Sequence, residues 1–175
     1  MRDLFVRESG NPKGPTVILL HGGPGLPGYM CTLAERLERD AFVVDYYQRG
    51  SLKSPSPGPF KIDDHVRDLD ALIRRYTRGR KPLLIGSSWG AILALCYAAA
   101  KPGRIAKAIV IGTGPLDKAC SEKFSATIAA RLPYKEHLKA RALKARFFSA
   151  KGSAARRGAL YLEWCSVIFR VYNKD

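Results

Sequence analysis

Five consecutive residues, Gly86-Ser87-Ser88-Trp89-Gly90, carry the clearest chemistry in this chain. They follow the apolar run Leu83-Leu84-Ile85 and precede the apolar stretch 91–100. The pattern is G-x-S-x-G between a strand and a helix, the setting in which a sharp, strained turn lifts a serine hydroxyl clear of a sheet. The flanking glycines let strand and helix approach with no Cβ between them. Ser88 is therefore the candidate nucleophile. Acyl transfer at a serine also needs preorganised N–H donors for the oxyanion that develops on the carbonyl. The small-residue loop His21-Gly22-Gly23-Pro24-Gly25 can supply one donor, and the residue after the serine the other. Read this way, the donors are the backbone N–H groups of Gly23 and Trp89.

The same loop spells a second motif. Gly23-x-Gly25-x-x-Gly28 follows a strand-like run and precedes a helix-like one, with Asp45 some 20 residues on, as in a dinucleotide fingerprint. Against that alternative, positions 24 and 27 are proline, which has no N–H to offer a pyrophosphate. It also leaves residues 86–90 without a role.

These residues need elements to hold them. Residues 16–20 (TVILL) form a continuous β-branched and aliphatic run, the pattern of a buried parallel strand. Residues 41–46, 83–85 and 105–111 are further strand candidates, and 4–6 an N-terminal edge strand. Residues 29–39 read as an amphipathic helix. In 62–76, Val66, Leu69, Leu72 and Ile73 form a helical stripe. Strands alternating with helices predict an α/β fold, a mostly parallel sheet covered on both faces. From residue 117 no strand pattern remains. Residues 117–170 predict two or three helices, with apolar faces from Phe124, Ile128 and Leu132, then Leu138, Leu143 and Phe147, then Leu160, Trp164 and Ile168. The organisation expected is a core over 1–116 and a helical segment over 117–175.

Composition narrows the function classes. With 175 residues and 46% hydrophobic content the chain can bury a core, and no apolar stretch reaches a membrane span. The N-terminus has no apolar signal core, which predicts a cytoplasmic protein. Cys31, Cys96, Cys120 and Cys165 form no CxxC pair and read as small apolar core residues. Net charge is +15, of which residues 1–100 carry +4 and the remainder +11. The basic residues of the second half recur at helical spacing, so they read as a solvated helix surface rather than a site for specific nucleic acid. A degenerate, non-catalytic basic binding module is the alternative. No metal or organic cofactor is implied.

The motifs HGGPG at 21–25, Gln48-Arg49-Gly50 with Ser54, and GSSWG at 86–90 occur in this order in a known superfamily. The chain resembles the α/β-hydrolases, most closely the proline iminopeptidase-like serine hydrolases. The resemblance implies an eight-stranded, mostly parallel sheet with a helical cap after the sixth strand, and a Ser–Asp–His triad. It makes Ser88 the nucleophile and Gly23 and Trp89 the oxyanion donors, with His21 and Gly22 shaping the loop. It implies hydrolysis of a small ester or amide, including an N-terminal peptide bond, through an acyl-Ser88 intermediate. The partner is a small-molecule or peptide substrate. Residues 117–175 become the start of the cap.

Three features depart from the family. Tyr47 stands where an aspartate usually precedes Gln-Arg-Gly, and Glu163-Trp164 is only an echo of the acidic residue that holds the substrate amine. The triad acid and histidine, expected on loops after later strands, have no counterpart here. Of the histidines, His21 belongs to the loop, His65 reads as a solvent-facing helix residue and His137 as a surface or cap-packing residue. Asp117 reads as a turn residue opening the cap, though some relatives place their acid there. Without later strands, 105–111 becomes an apolar edge that invites self-association. The expected protein is an impaired, truncated serine hydrolase. The alternatives are a half-domain completed by a partner and a degenerate binder.

Overall fold

The computed structural model describes residues 4–23, 25–149 and 154–171. They fall into two compact units, Met1–Leu116 and Asp117–Asp175.

The first unit is a five-stranded sheet in the order β1-β3-β2-β4-β5. Its strands are β1 (Val6–Gly10), β2 (Thr16–Leu20), β3 (Phe42–Tyr46), β4 (Leu83–Ser87) and β5 (Lys107–Ile111). β1 runs antiparallel to β3, and every other pairing is parallel. Parallel neighbours need crossovers, and three helices provide them: α1 (Cys31–Leu37), α2 (Ile62–Tyr76) and α3 (Trp89–Ala100). All five residues of β2 and of β3 are buried, as strands covered on both faces must be. Alternate residues divide between two cores. Ile18, Leu20 and Val44 pack with Leu69 and Ile73 of α2 and Leu93 of α3, whereas Val17, Leu19 and Val43 pack with Leu33 and Leu37 of α1. The centre of the sheet is therefore covered on both faces.

Strand boundaries differ from the sequence expectation by one residue at the start of β3, by two at the end of β4, and most at the two edge strands. The N-terminal strand begins at Val6 rather than at Leu4 and continues through Glu8-Ser9-Gly10. An edge strand needs only the hydrogen bonds of one neighbour, here β3, so it need not be apolar. Leu4 instead packs against the core. At the other edge β5 starts at Lys107, while Ile105 turns inward. β5 is exposed along its whole length, with Ile109 at 46% exposure.

The second unit contains α4 (Lys118–Arg131), α5 (Tyr134–Ser149) and α6 (Ala154–Phe169). Its core gathers Leu132, Ala140, Leu143, Leu160 and Val167, with Ile128, Phe147, Trp164 and Ile168 partly buried beside them. Phe124 and Leu138, expected on apolar faces, are exposed. Leu138 lies about 200° around α5 from Ala140, so a helix that buries Ala140 and Leu143 turns it outward. α4 buries no side chain, which also leaves Cys120 exposed rather than in a core. Asp117 N-caps α4 by accepting a hydrogen bond from the Cys120 N–H at 2.7 Å, the role of a turn residue. Among the described residues no helix is long and apolar enough to cross a membrane.

Candidate active site

Ser88 stands between β4 and α3, with φ 53° and ψ −117°. Left-handed φ is unfavourable for a side chain with a Cβ, and a tight strand-to-helix turn is what imposes it here. Its N–H donates to the Ile111 carbonyl at 2.9 Å, tying the turn to β5. The glycines on either side are sterically required. A Cβ on Gly86 would lie 2.3 Å from the Gly90 carbonyl oxygen, and one on Gly90 would lie 1.9 Å from that of Leu20. The result is an exposed serine at the end of a central strand.

The loop after β2 lies against this turn. A Cβ on Gly22 would sit 3.1 Å from the Ser88 Cβ and 2.9 Å from the Tyr29 hydroxyl oxygen. The Gly22 N–H donates to that Tyr29 oxygen at 2.7 Å. Gly22 therefore has no N–H to spare. Among the described residues, by contrast, the N–H groups of Gly23 and Trp89 donate to no other group. Pro24 lies outside the described residues.

His21 is fully buried and both ring nitrogens are occupied. The Gln48 N–H donates to Nε2 at 2.9 Å, so the proton sits on Nδ1, which faces the Gly22 carbonyl at 2.9 Å. Burial pushes its pKa below the ordinary 6.5, against the opposing pull of the Gly22 carbonyl and Asp45. His21 holds the loop and offers no base.

His65 is the main correction. The sequence reading puts it in solvent, but it is 4% exposed, its ring edge-on to Trp89 at 5.6 Å and to Phe60 at 5.9 Å. The signal was present: residues 65, 69, 72 and 73 share one helical face, and the last three are core leucines and isoleucine. Burial, then the Arg49 charge, lowers its pKa. Arg49 makes a bidentate pair with Asp68 at 2.7 and 2.6 Å, fastening the loop after β3 to α2. Tyr29 and Gln48 also went without a role in the sequence reading. Their contacts join segments too far apart in the chain to leave a local pattern.

The remaining candidates have contacts of their own. In the second unit, His137 is half-buried, and its N–H donates to the Pro133 carbonyl. Glu163 pairs with Lys139 at 3.5 Å. The Ser88 hydroxyl makes no hydrogen bond to any described residue. The dinucleotide alternative fares worse, because Asp45 is 2% exposed and ion-paired with Arg7 across the β1–β3 register. A carboxylate so placed is not available to a ribose. Among the described residues no cluster could hold a metal ion.

A pH effect follows from the two buried histidines. Each has a folded pKa below its unfolded value, so the folded state binds fewer protons between the two. The stability they contribute is complete above the ordinary 6.5 and is lost as pH falls through the lowered folded values. The melting temperature is expected to drop as pH falls from about 7.5 to about 5. His65→Phe, which keeps the ring but cannot titrate, should flatten that slope. An unchanged slope would show that His65 titrates as an ordinary exposed imidazole.

The chain has clear likenesses among known proteins. The model of a family described as "alpha/beta hydrolase fold" matches residues 15–166. A proline iminopeptidase from Neisseria gonorrhoeae is 35% identical over 116 residues, covering 64% of this chain and 37% of the relative. One from Heyndrickxia coagulans is 34% identical over 108 residues, covering 60% and 37%. The chain thus spans about a third of the length of the curated relatives it matches. Among solved structures, VinJ aligns over 94% of this chain and 55% of its own, with a TM-score of 0.73 and 24% identity. A marine microorganism esterase covers 75% and 51%, with a TM-score of 0.60 and 28% identity.

Proposed function

The chain belongs to the α/β-hydrolase fold family, and from that premise we propose that it is a serine hydrolase acting through Ser88. The observation that carries the reading is the exposed serine at φ 53°, with the Gly22 backbone pressed against it. Ser88 Oγ attacks the carbonyl carbon of a small ester or amide, and the carbonyl oxygen becomes an oxyanion. The unused N–H groups of Gly23 and Trp89 receive that charge. The leaving group departs protonated, and water then cleaves the acyl-Ser88 ester to return free serine. His21 and Gly22 hold the loop. Residues 117–175 are read as the start of a cap over a small-molecule or peptide substrate, in a cytoplasmic protein.

Removal of the Ser88 proton is the weak step. A serine hydroxyl is almost wholly protonated at neutral pH, so it needs a base within hydrogen-bond reach, and among the described residues of the first unit none is hydrogen-bonded to it. The exposed apolar β5 favours one variant of the reading, in which a strand from another chain pairs there and brings the base with it. Aminopeptidase activity on N-terminal proline draws support from the relatives, but Glu163, only a loose echo of the family's amine-holding acid, is ion-paired with Lys139.

The test compares p-nitrophenyl acetate with prolyl and other aminoacyl arylamides as substrates. The expected result is slow ester turnover that disappears in Ser88→Ala, with arylamide cleavage weaker still. Ester turnover equal in the variant and the wild type would sink the serine reading.

A further inference from the structure

Gln48 occupies the point where the two donor-bearing segments meet. It is 1% exposed, and its side-chain amide is used at both ends. Nε2 donates to the His21 carbonyl at 2.7 Å, and Oε1 accepts from the Trp89 indole Nε1 at 2.8 Å. Its backbone N–H meanwhile selects the His21 tautomer whose Nδ1 faces the Gly22 carbonyl. The Gly22 carbonyl and the Gly23 N–H belong to one planar trans peptide, so gripping the oxygen aims the N–H at its far end. The side-chain bond to the His21 carbonyl holds in place the residue whose ring grips the Gly22 carbonyl, and so sets Gly23. Through the indole Gln48 sets the first residue of α3, whose backbone N–H is the second donor. Gln48 reaches neither Ser88 nor a substrate in these contacts. Its action passes through the two residues it holds.

We propose that Gln48 is the positioning residue of the oxyanion hole, a side-chain clamp that fixes the Gly23 and Trp89 N–H groups relative to each other. The assignment rests on the serine-hydrolase reading above. An amide is the side chain that fits, since one end must donate to a carbonyl and the other accept from an indole. A buried carboxylate could accept from the indole but would face the His21 carbonyl with no proton to give.

The experiment uses the full chain and measures kcat and KM for p-nitrophenyl acetate in Ser88→Ala, Gln48→Leu, Trp89→Phe and the double variant Gln48→Leu/Trp89→Phe. Removing one oxyanion donor costs about 10²-fold or more in kcat, so misaiming it is expected to cost about tenfold to 10²-fold, with KM little changed. Trp89→Phe keeps the backbone donor and loses only the indole N–H, and it should lower kcat by less. The double variant should be no slower than Gln48→Leu, because both changes break the same clamp. The pH profile of Gln48→Glu provides a signature that a merely structural role would not give. A protonated carboxyl can donate to His21 and accept from Trp89, so the ratio of this variant's kcat to the wild type's should rise as pH falls from alkaline towards neutral.

Turnover that needs Ser88 but is indifferent to Gln48, or losses that multiply in the double variant, would overturn the clamp alone. Turnover that persists in Ser88→Ala would overturn the hydrolase reading and the clamp together. If turnover is too slow to follow, amide NMR decides. The Gly23 and Trp89 backbone signals should both shift in Gln48→Leu, and the Gly23 signal should also shift in Trp89→Phe. A Gly23 signal that stays in place in both variants overturns the clamp.

Discussion

A fluorophosphonate probe is expected to label the wild-type chain slowly and substoichiometrically, and Ser88→Ala not at all. The expected rate is low because the probe reacts with an activated serine, and the Ser88 hydroxyl is hydrogen-bonded to no described residue. The scale of the deficit is known from other serine enzymes. Losing the triad histidine costs about 10⁶-fold in turnover, and the oxyanion hole with binding still leaves about 10³–10⁴ over water. The unused donors Gly23 and Trp89 are what would sustain that remainder here. His65→Ala and His137→Ala complete the set. His65 lies edge-on to the Trp89 ring and buried, so its loss should alter stability more than labelling. Rapid labelling of the wild type that vanishes in Ser88→Ala and in either histidine variant would identify a base within this chain. Rapid labelling that needs Ser88 but neither histidine points to a base from a second chain, with β5 as the edge where such a chain would pair.

Gly90→Ala is expected to rank among the most destabilising single methyls that can be added to the first unit. The new Cβ would lie 1.9 Å from the Leu20 carbonyl oxygen, 2.5 Å from the Leu20 carbonyl carbon and 2.8 Å from the His21 carbonyl oxygen. All three are backbone atoms of buried residues, so neither a rotamer change nor a side-chain shift relieves the clash. α3 must move away from β2, and the core between Leu20 and Leu93 opens with it. Overpacking by a methylene usually costs about 1–3 kcal/mol, and a backbone collision of this depth should exceed about 3 kcal/mol. Gly86→Ala, with its Cβ 2.3 Å from the Gly90 carbonyl oxygen, should behave alike. Gly158→Ala provides the control. It lies within α6 with nothing inside 4 Å of the added carbon, and should stabilise by about 0.5–1 kcal/mol through helix propensity. Urea unfolding of the three variants reads the comparison. A Gly90→Ala protein as stable as the wild type would mean that α3 does not pack on β2 at this distance.

Much of the framework was legible from local pattern. The buried strand β2 and the helix α2 have the bounds their residues predict, because a continuous aliphatic run and a 3.6-residue stripe are properties of neighbouring residues. The strand–turn–helix around Ser88 was legible too. Two glycines two residues either side of a serine leave few other ways for β4 to meet α3. From these alternations came a mostly parallel sheet, and the sheet has that form.

What the chain by itself did not disclose lies in contacts between distant segments. The polar residues of β1 form a strand because β3 supplies their hydrogen bonds, not because of their own propensity. His65 is buried because α2 turns it towards Trp89, 24 positions later, although a lone histidine on a charged helix reads as surface. Cys120 and Phe124 are exposed because α4 buries no side chain fully, and only its C-terminal Ile128 packs against the core. The Tyr29–Gly22 contact and the Gln48 links to His21 and Trp89 join side chains to backbone or indole across 7 to 41 positions. Periodicity reports which face of an element is apolar. It does not report which element that face meets, nor which buried polar groups find each other there. Only the folded sheet brings those partners together, where burial then requires them to pair.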